Sequence, residues 1–368
     1  MTASNSSRLD SLDALRGFDM FFITGGAVLL RALADALPCS VTAFLANQMT
    51  HMTWDGFAFY DMIFPLFLFL AGVSFPYSLA ASRRRGLSER AVVGRILQRM
   101  LTLVLLGWVF NGFLRFDFAS MRYLSVLGRI GVAWGIAALC YRSWGWQKCG
   151  MVGALVLLAY GLATALVVAP DAPMGATPTS MEGSIVGYVD RVLMPGRLLN
   201  DTFDPLGLLS TLPAGGTAWL GMGAGAWLRS SEPNNRRSLG LVAAGVLLVL
   251  VGLLLNPWLP INKPLWSSSY VCFAGGLSML LMALFYQLID VWGYKRWSFY
   301  FRVIGLNAIT IYMAQKIVPL KAVRDFLFQG AAEWFPPAWE GVVLAVGYLL
   351  VCYWLLWFLY RHKIFLKV

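Results

Sequence analysis

The sequence predicts an all-α integral membrane protein, a single domain over residues 1–368 with about ten transmembrane helices and both termini in the cytoplasm. Three observations support this prediction. Hydrophobic residues make up 59% of the chain and charged residues 13%, whereas a soluble domain carries about 25% charged residues. The mean hydropathy is +0.67. The apolar residues also fall into segments of about 20 residues, the length that crosses a bilayer.

Ten apolar segments define the predicted spans. The first and the ninth are the least regular, because the first contains Asp19 and Arg31 and the ninth contains Asn307, Gln315 and Lys316. The predicted spans are 15–37, 58–81, 96–114, 126–143, 149–169, 206–228, 238–257, 268–290, 302–320 and 339–360.

The distribution of basic residues predicts the orientation. With ten spans both termini lie on one side, and 19 of the 29 Lys and Arg residues fall on that side. Since cytoplasmic loops are enriched in Lys and Arg, this side is predicted to be the cytoplasm. Residues 1–12 then form a cytoplasmic tail and residues 170–205 the longest extracytoplasmic loop. The formal charge of +11 is an orientation signal, and no nucleic-acid partner is expected.

The first apolar segment has one property of a secretion signal, an Ala-Asp-Ala sequence at residues 34–36. However, Asp10 and Asp13 precede it and Asp19 interrupts it, so we expect an uncleaved first helix. The five cysteines include no Cys-x-x-Cys pair and predict no disulfide framework.

A polar cluster at the start of the second span is the leading candidate for chemistry. It contains His51, Trp54, Asp55 and Asp61. An imidazole exchanges protons near neutral pH, and the other histidine, His362, lies in the basic C-terminal segment. Asp55 follows His51 by one helical turn and could orient the ring if the segment is helical. The alternative is an interfacial histidine beside an anchoring tryptophan.

Two arginines lie in or beside apolar helices, where a charge is costly and marks a functional candidate. Arg16 follows Asp13 by three residues, so the two can pair across one helical turn. The alternative is that Ser11 caps a helix with an acidic first turn. Arg129 lies inside the fourth span and is predicted to face the bundle interior with a partner.

Several polar residues of the predicted outer loops are further candidates. Asp190 and Asp204 belong to the long loop, and Asn262, Lys263 and Trp266 precede the eighth span. Lys263 and Trp266 could instead be ordinary interface anchors.

Some chemistries are disfavoured because their motifs are missing. The sequence contains no Walker loop, HExxH, GxSxG or Rossmann fingerprint. His51 has no second His or Cys nearby, so a zinc site is not expected. An enzyme of this sequence would use acid–base chemistry and a diffusible cosubstrate, without a metal.

Taken together, these motifs resemble the heparan-alpha-glucosaminide N-acetyltransferase family of transmembrane acyltransferases, which includes bacterial NagX-type proteins. The matching pieces occur in order across nearly the whole chain, so their combination is specific although each alone is weak. They are Arg8-Leu9-Asp10-Ser11-Leu12-Asp13-Ala14-Leu15-Arg16-Gly17-Phe18, the block from His51 to Ser74, Gly187-Tyr188-Val189-Asp190-Arg191, Asp204-Pro205-x-Gly207, the block from Asn262 to Val271, Gly305-x-Asn307-Ala308-Ile309 and Tyr360-Arg361-x-Lys363-Ile364-Phe365.

The resemblance implies transfer of an acetyl group from cytoplasmic acetyl-CoA to an amino sugar of the glucosamine type on the other side of the membrane. His51 matches the family's active-site histidine, acting as general base or acetyl carrier. The expected partners are a small amino sugar or glycan and the lipid bilayer, a homodimer is allowed, and the expected location is the bacterial inner membrane. The expected site residues are His51, Asp55 and Asp61 for catalysis, Arg16, Arg129 and Asn307 for acetyl-CoA, and Asp190, Asp204, Asn262, Lys263 and Trp266 for the sugar.

The sequence departs from the family at several positions. Lysosomal members carry an Asn before the histidine where Ser40 stands here, with Asn47 as an alternative. Leu206 replaces an acidic residue, and Gly128 replaces a Gln. The sequence leaves open which sugar is acetylated, whether on nitrogen or oxygen, and whether transfer is direct or passes through an acetyl-histidine.

The main rival hypothesis is a transporter for amino sugars, in which His51 and the charges inside the bundle form a proton or substrate path.

Overall fold

The protein is all-helical in the computed structural model, which describes residues 9–366. Within these residues no strand forms, and isolated β-bridges join the loops. The predicted all-α class is confirmed. The helices are α1 Asp10–Phe21, α2 Ala27–Ala36, α3 Ser40–Gln48, α4 Ile63–Arg84, α5 Glu89–Phe110, α6 Val126–Leu166, α7 Ile185–Leu193, α8 Thr211–Leu228, α9 Asn234–Leu255, α10 Ser268–Phe285, α11 Phe299–Leu306, α12 Ala308–Ile317, α13 Leu320–Ala332 and α14 Pro337–Arg361.

Seven helical runs among the described residues are long and apolar enough to cross a membrane. The chain is therefore an all-helical integral membrane protein, while the count of ten spans and the cytoplasmic side of the termini stay predictions. The seven runs are Asp10–Ala36, Phe59–Arg84, Glu89–Phe110, Val126–Leu166, Asn234–Leu255, Ser268–Val291 and Pro337–Arg361.

α6 accounts for one of the three spans by which the ten predicted spans exceed the seven helical runs. At 41 residues it would extend about 61 Å, twice the thickness of the hydrocarbon core. Gly145 breaks it, with φ 73° and ψ 176°. The chain folds back there, since Cys140 and Cys149 contact each other. The two halves correspond to the predicted fourth and fifth spans.

The other two predicted spans that are absent from the seven runs are the sixth, which corresponds to α8, and the ninth. α8 is rich in glycine, which lowers its hydropathy. The ninth span is interrupted at Asn307, where φ is −125° and ψ 33°, leaving helices of 8 and 10 residues. Neither is long enough to cross a bilayer alone.

α4 runs through the bundle and packs backbone to backbone against α8. A Cβ atom on Gly72 would lie 2.3 Å from the Ala218 carbonyl oxygen, and one on Gly221 would lie 2.1 Å from that of Phe69. Small residues allow such close approach between membrane helices. The 22 residues of α4 extend about 33 Å. We call the end where α4 begins the His51 end and the end where it finishes the basic end.

α1 begins inside the segment expected as a tail, because salt bridges hold its first turn. Asp10 lies 2.9 Å from Lys295 and 3.0 Å from Arg302. Ser11 does not cap the helix: Leu9 is the N-cap residue and makes no side-chain cap bond. Residues 1–8 and 367–368, with the counted Arg8 and Lys367, lie outside the described residues.

Candidate active site

His51 lies in a non-helical segment after α3, and its ring meets a carboxylate from the turn before α4. That turn, the 3-10 helix Phe59–Met62, carries Asp61, whose side chain is 1% exposed. The His51 Nδ1 atom lies 2.7 Å from Asp61 Oδ1. The imidazole is 54% exposed, so the protein holds it on one side and leaves the other accessible.

Lys263 completes a three-residue cluster. Its Nζ atom lies 3.2 Å from Asp61 Oδ1 and 3.0 Å from His51 Nδ1. The second oxygen of Asp61 accepts from the backbone amides of Ala58 at 3.1 Å and Met52 at 3.3 Å. The atoms that contact the Asp61 carboxylate are all nitrogen atoms that can donate, so the carboxylate accepts every one of these hydrogen bonds.

The hydrogen-bond network assigns the histidine tautomer. A carboxylate accepts and does not donate, so the 2.7 Å contact places the imidazole proton on Nδ1 of His51. Lys263 donates to the same Asp61 oxygen. This arrangement leaves Nε2 as the ring atom that can take a proton from a substrate, as in a base oriented by a carboxylate.

The loop between α9 and α10 brings Lys263 into the cluster, where its side chain is 19% exposed. Burial lowers the pKa of Lys263 from the usual lysine value, and the negative charge of Asp61 opposes that shift. The ammonium group therefore loses its proton more readily than a surface lysine does.

Asp55 does not face the imidazole, because the segment around it is not helical. Its carboxylate instead accepts a hydrogen bond from Asn262 Nδ2 at 3.0 Å. Asn262 is fully buried, and its Oδ1 accepts from the Leu265 amide at 2.6 Å. Asp55 and Asn262 thus fasten the Lys263 loop to the His51 segment.

A cavity of about 380 Å³ adjoins the cluster, and His51, Asp61 and Lys263 all line it. The Tyr60 ring packs 4.7 Å from the imidazole. Trp266 also lines the cavity, although it is only 1% exposed. The remaining walls are mostly apolar and include Met20, Ile63, Phe64, Phe67, Ile130, Ile309 and Tyr312.

Arg122 lines the same cavity and was missed in the sequence. Its guanidinium donates two bonds to Asp204, at 2.7 and 2.6 Å. Asp204 is fully buried and also accepts from the amides of Leu199 and Leu206 at 3.1 and 2.8 Å. Asp204, expected to contact a sugar, therefore lies behind Arg122. No local signal marks this pair, because its members are 82 residues apart.

Asp190 is also buried away from the cavity. It lies on α7, inside the predicted long loop, and accepts a bond from the Leu208 amide at 2.8 Å. A Cβ atom on Gly207 would lie 1.8 Å from its other oxygen, so only glycine fits there. Burial raises the pKa of Asp190 to about 6. Asp190 holds the turn before α8.

Arg129, expected with Arg16 as an acetyl-CoA contact, lies at the His51 end and does not line the cavity that contains Arg16. α6 begins at the His51 end, and Arg129, 3% exposed, lies in its first turns. It donates to the Gly207 carbonyl at 3.1 Å and to the Ser210 hydroxyl. Its guanidinium also lies 5.2 Å from the Trp266 ring. It supports the wall of the His51 cavity from behind.

A second cavity, of about 450 Å³, lies at the basic end. Its lining, within the part of the chain that the structure describes, has Asp13 as its single carboxylate. Arg16 pairs with Asp13 at 3.3 Å, as their spacing allows, and donates to Ser74 at 3.0 Å. The four arginines that line the cavity are Arg16, Arg84, Arg99 and Arg229. In the sequence, the last three are easily taken for topology signals.

The two cavities share a wall. Phe67 on α4 and Ala308 and Ile309 at the start of α12 line both. The basic cavity and the His51 cavity are therefore adjacent, although they lie toward opposite ends of the bundle.

Asn307, an expected acetyl-CoA contact, does not line the basic cavity. It is 2% exposed, and its Nδ2 atom donates to the Ile364 carbonyl at 3.0 Å. It thus holds the residues that follow α14. Ser40 and Asn47, the candidates for the family's asparagine, are both exposed on α3 and line neither cavity.

Two further features bear on the choice of site. A third cavity, of about 1010 Å³, is an apolar groove among α6, α8, α9 and α10, with no acidic or basic side chain in its lining. Within residues 9–366 no group of three His, Cys, Asp or Glu side chains is placed to hold a metal ion.

The chain is similar to two curated mammalian proteins. It is 24% identical over 375 residues to the heparan-alpha-glucosaminide N-acetyltransferase of Homo sapiens, covering 86% of this chain and 55% of that protein. It is 25% identical over 378 residues to the protein of the same name in Mus musculus, covering 86% and 56%. The chain thus spans little more than half the length of these relatives. No model of a known protein family matches the chain.

Proposed function

We propose that this protein transfers an acetyl group from acetyl-CoA, bound in the basic cavity, to an amino sugar at the His51 end. The observation that carries the proposal is the shared wall of Phe67, Ala308 and Ile309 between a cavity rich in arginine and a cavity that contains a carboxylate-bound histidine. The similarity to two N-acetyltransferases supports the reaction class.

The basic cavity suits the nucleotide part of acetyl-CoA. Coenzyme A carries several phosphate charges, and arginine binds phosphate oxygens with strong, often bidentate hydrogen bonds. Four arginines face one carboxylate in the lining. Because a polyanion cannot cross hydrocarbon, the phosphates stay at this end while the thioester arm extends toward the wall. We propose that the basic end faces the cytoplasm.

His51 supplies the base. As the acceptor amine attacks the thioester carbonyl, Nε2 takes the amine proton, the new carbon–nitrogen bond forms and the carbon–sulfur bond breaks. The imidazolium then returns the proton to the departing thiolate, giving the acetamide and free coenzyme A. Asp61 holds the ring and stabilises its charged form. Transfer through an acetyl-histidine would use the same nitrogen as a nucleophile.

The acceptor approaches the exposed face of His51. Lys263, Tyr60 and Arg122 offer polar atoms at the edge of the cavity, and the nearly buried Trp266 forms part of its wall. We propose a glucosamine-type amino sugar or glycan as acceptor, a bacterial NagX-like membership and an inner-membrane location, with the bilayer around the apolar helices. A homodimer is compatible with this scheme.

The test is a product screen with the purified full chain, labelled acetyl-CoA and a panel of amino sugars that includes glucosamine and cell-wall muropeptides. We expect labelled N-acetyl product from the unaltered protein and none from His51→Ala. The matched control is His362→Ala, because the second histidine is exposed beyond α14 and lines neither cavity. It should keep full activity.

If His51→Ala keeps full transferase activity, the proposed mechanism is overturned. Two cavities that meet at a thin wall from opposite ends also suit a transporter, the second candidate. Uptake of amino sugars into protein-only liposomes without acetyl-CoA would favour it, and uptake that requires acetyl-CoA would favour the enzyme.

A further inference from the structure

The residues that follow α14 turn back into the basic cavity. Lys363 adopts φ 55°, a left-handed conformation that reverses the chain. The Ile364 amide then donates to the Leu359 carbonyl at 2.9 Å. Phe365 and Leu366, the next two residues, line the cavity together with its arginines. A short segment near the end of the sequence thus forms one wall of a cavity built mainly by α1, α4, α11 and α12.

Asn307 holds this segment with both ends of its amide. Its Nδ2 atom donates to the Ile364 carbonyl at 3.0 Å, and its Oδ1 atom accepts from the Leu366 amide at 3.4 Å. These two bonds bracket Phe365. Because Asn307 is 2% exposed, an unbonded amide there would carry a large penalty. The clamp therefore favours one position of the segment.

The clamp also lies beside the wall between the two cavities. Asn307 interrupts the helix between α11 and α12, and the next two residues, Ala308 and Ile309, line both cavities. The position of Phe365 and the position of this wall therefore depend on the same buried side chain.

We propose that Phe365 and Leu366 are part of the acyl-donor site, with Phe365 as a binding residue for the coenzyme A thioester and Asn307 as the residue that positions it. This inference rests on the proposed function. The guanidinium groups bind the phosphates, and the Phe365 ring covers the apolar side of the cavity, where the less polar arm of the donor lies. Aromatic rings bury a large contact area at low entropic cost.

The experiment measures the dissociation constant of coenzyme A by calorimetry, and the KM values of acetyl-CoA and of the amino sugar, in the full chain. Phe365→Ala should weaken coenzyme A binding and raise the KM of acetyl-CoA about tenfold, the effect of losing one well-buried contact. The KM of the amino sugar and kcat should stay unchanged. Asn307→Ala should likewise raise the KM of acetyl-CoA and leave the KM of the amino sugar unchanged. Asn307→Asp keeps the acceptor for the Leu366 amide, so it should raise the KM of acetyl-CoA less.

The matched control is Ile364→Ala. The Ile364 side chain is 52% exposed and does not line the cavity, while its carbonyl keeps the bond to Asn307. It should bind coenzyme A like the unaltered protein. If Asn307→Ala does not fold, Phe365→Ala and its control decide the question.

Two negative results are distinguishable. If the unaltered protein binds coenzyme A and Phe365→Ala binds it equally well, this inference is overturned and the proposed function stands. If the unaltered protein does not bind coenzyme A, the proposed function fails and this inference fails with it.

Discussion

The two cavities differ in how their charges are balanced. In the His51 cavity the charges compensate one another: Asp61 meets Lys263, and Arg122 meets Asp204. In the basic cavity four arginines line the same space as one carboxylate. A compensated cluster fixes the orientation and protonation of its members, whereas uncompensated positive charge attracts an anion. The difference supports the proposal that one cavity transfers protons and the other binds the anionic donor.

The cavities also differ in how they are assembled. His51 and Lys263 are 212 residues apart and meet because buried side chains pin their loops. The basic cavity is lined by side chains of α1, α4, α11 and α12, together with Arg99 of α5 and Arg229, which follows α8. A substitution at the His51 end should therefore alter kcat, and one at the basic end should alter the KM of acetyl-CoA.

The largest expected effect is that of Asp61→Asn. The amide cannot accept all the bonds that the carboxylate accepts, and it removes the charge that stabilises the His51 imidazolium. We expect kcat to fall on the order of a thousandfold, within the range of general acid–base catalysis, with the KM of acetyl-CoA nearly unchanged. Steady-state kinetics of the purified protein measures both.

Asp55→Asn is the control, because Asp55 bonds Asn262 rather than His51. It should reduce kcat far less than Asp61→Asn does. Equal losses in the two variants would contradict the geometric distinction between the carboxylates.

The sequence predicts the helical class and marks His51 as a candidate, but it does not predict the network of contacts around His51. Apolar segments and a lone histidine beside a span are local signals, so composition and spacing detect them. Asp61 rather than Asp55 faces the ring because residues 51–58 are not helical, and no periodicity predicts that. The bond between Arg122 and Asp204 depends on tertiary folding over 82 residues.

Buried polar residues explain the sites that sequence patterns misplace. Asp190 and Asn262, both expected as sugar contacts, are fully buried and accept hydrogen bonds from backbone amides. Arg129, expected with Arg16 as an acetyl-CoA contact, instead donates to Gly207 and Ser210 at the His51 end. A charged residue in a loop is equally compatible with a ligand contact and with a structural bond until its partners are known.

The second prediction concerns the wall between the cavities. Ile309→Trp adds bulk where the thioester arm would pass from the basic cavity to His51. We expect acetyl transfer to fall about a hundredfold, the effect of misplacing reactants by about an ångström, while coenzyme A still binds. Calorimetry and kinetics of the same preparation measure the two quantities. Unchanged transfer would mean that the donor does not cross this wall.

The third prediction tests the buried charge behind the His51 cavity. An aspartate of the unfolded chain loses its proton near pH 4, whereas burial raises the pKa of Asp190 to about 6 in the folded protein. Between these values the folded state binds more protons, so this contribution to stability falls as pH rises toward 6 and is then constant.

Asp190→Asn keeps the acceptor for the Leu208 amide and removes the titration. The difference in free energy of unfolding between the variant and the unaltered protein should therefore shift in favour of the variant between pH 4 and pH 7. For a shift of two pKa units this change is at most about 3 kcal/mol. Thermal unfolding in detergent at the two pH values measures this difference. Parallel melting temperatures across the range would contradict it.

The smallest expected effect tests the other cavity. Arg229 lines the basic cavity, 5.6 Å from the Tyr77 ring, and its loss would remove one of the phosphate contacts that we propose. Arg229→Gln should raise the KM of acetyl-CoA about tenfold, as loss of one charge-assisted bond does, and leave kcat unchanged. Because salt screens exposed charges over about 8 Å at physiological ionic strength, added salt should raise the KM of the unaltered protein more than that of the variant.

The control is Arg236→Gln, since Arg236 pairs with Glu232 at 3.2 Å and does not line the cavity. An equal rise in KM for both variants would mean that the net charge of this end, rather than the arrangement of its arginines, attracts the donor.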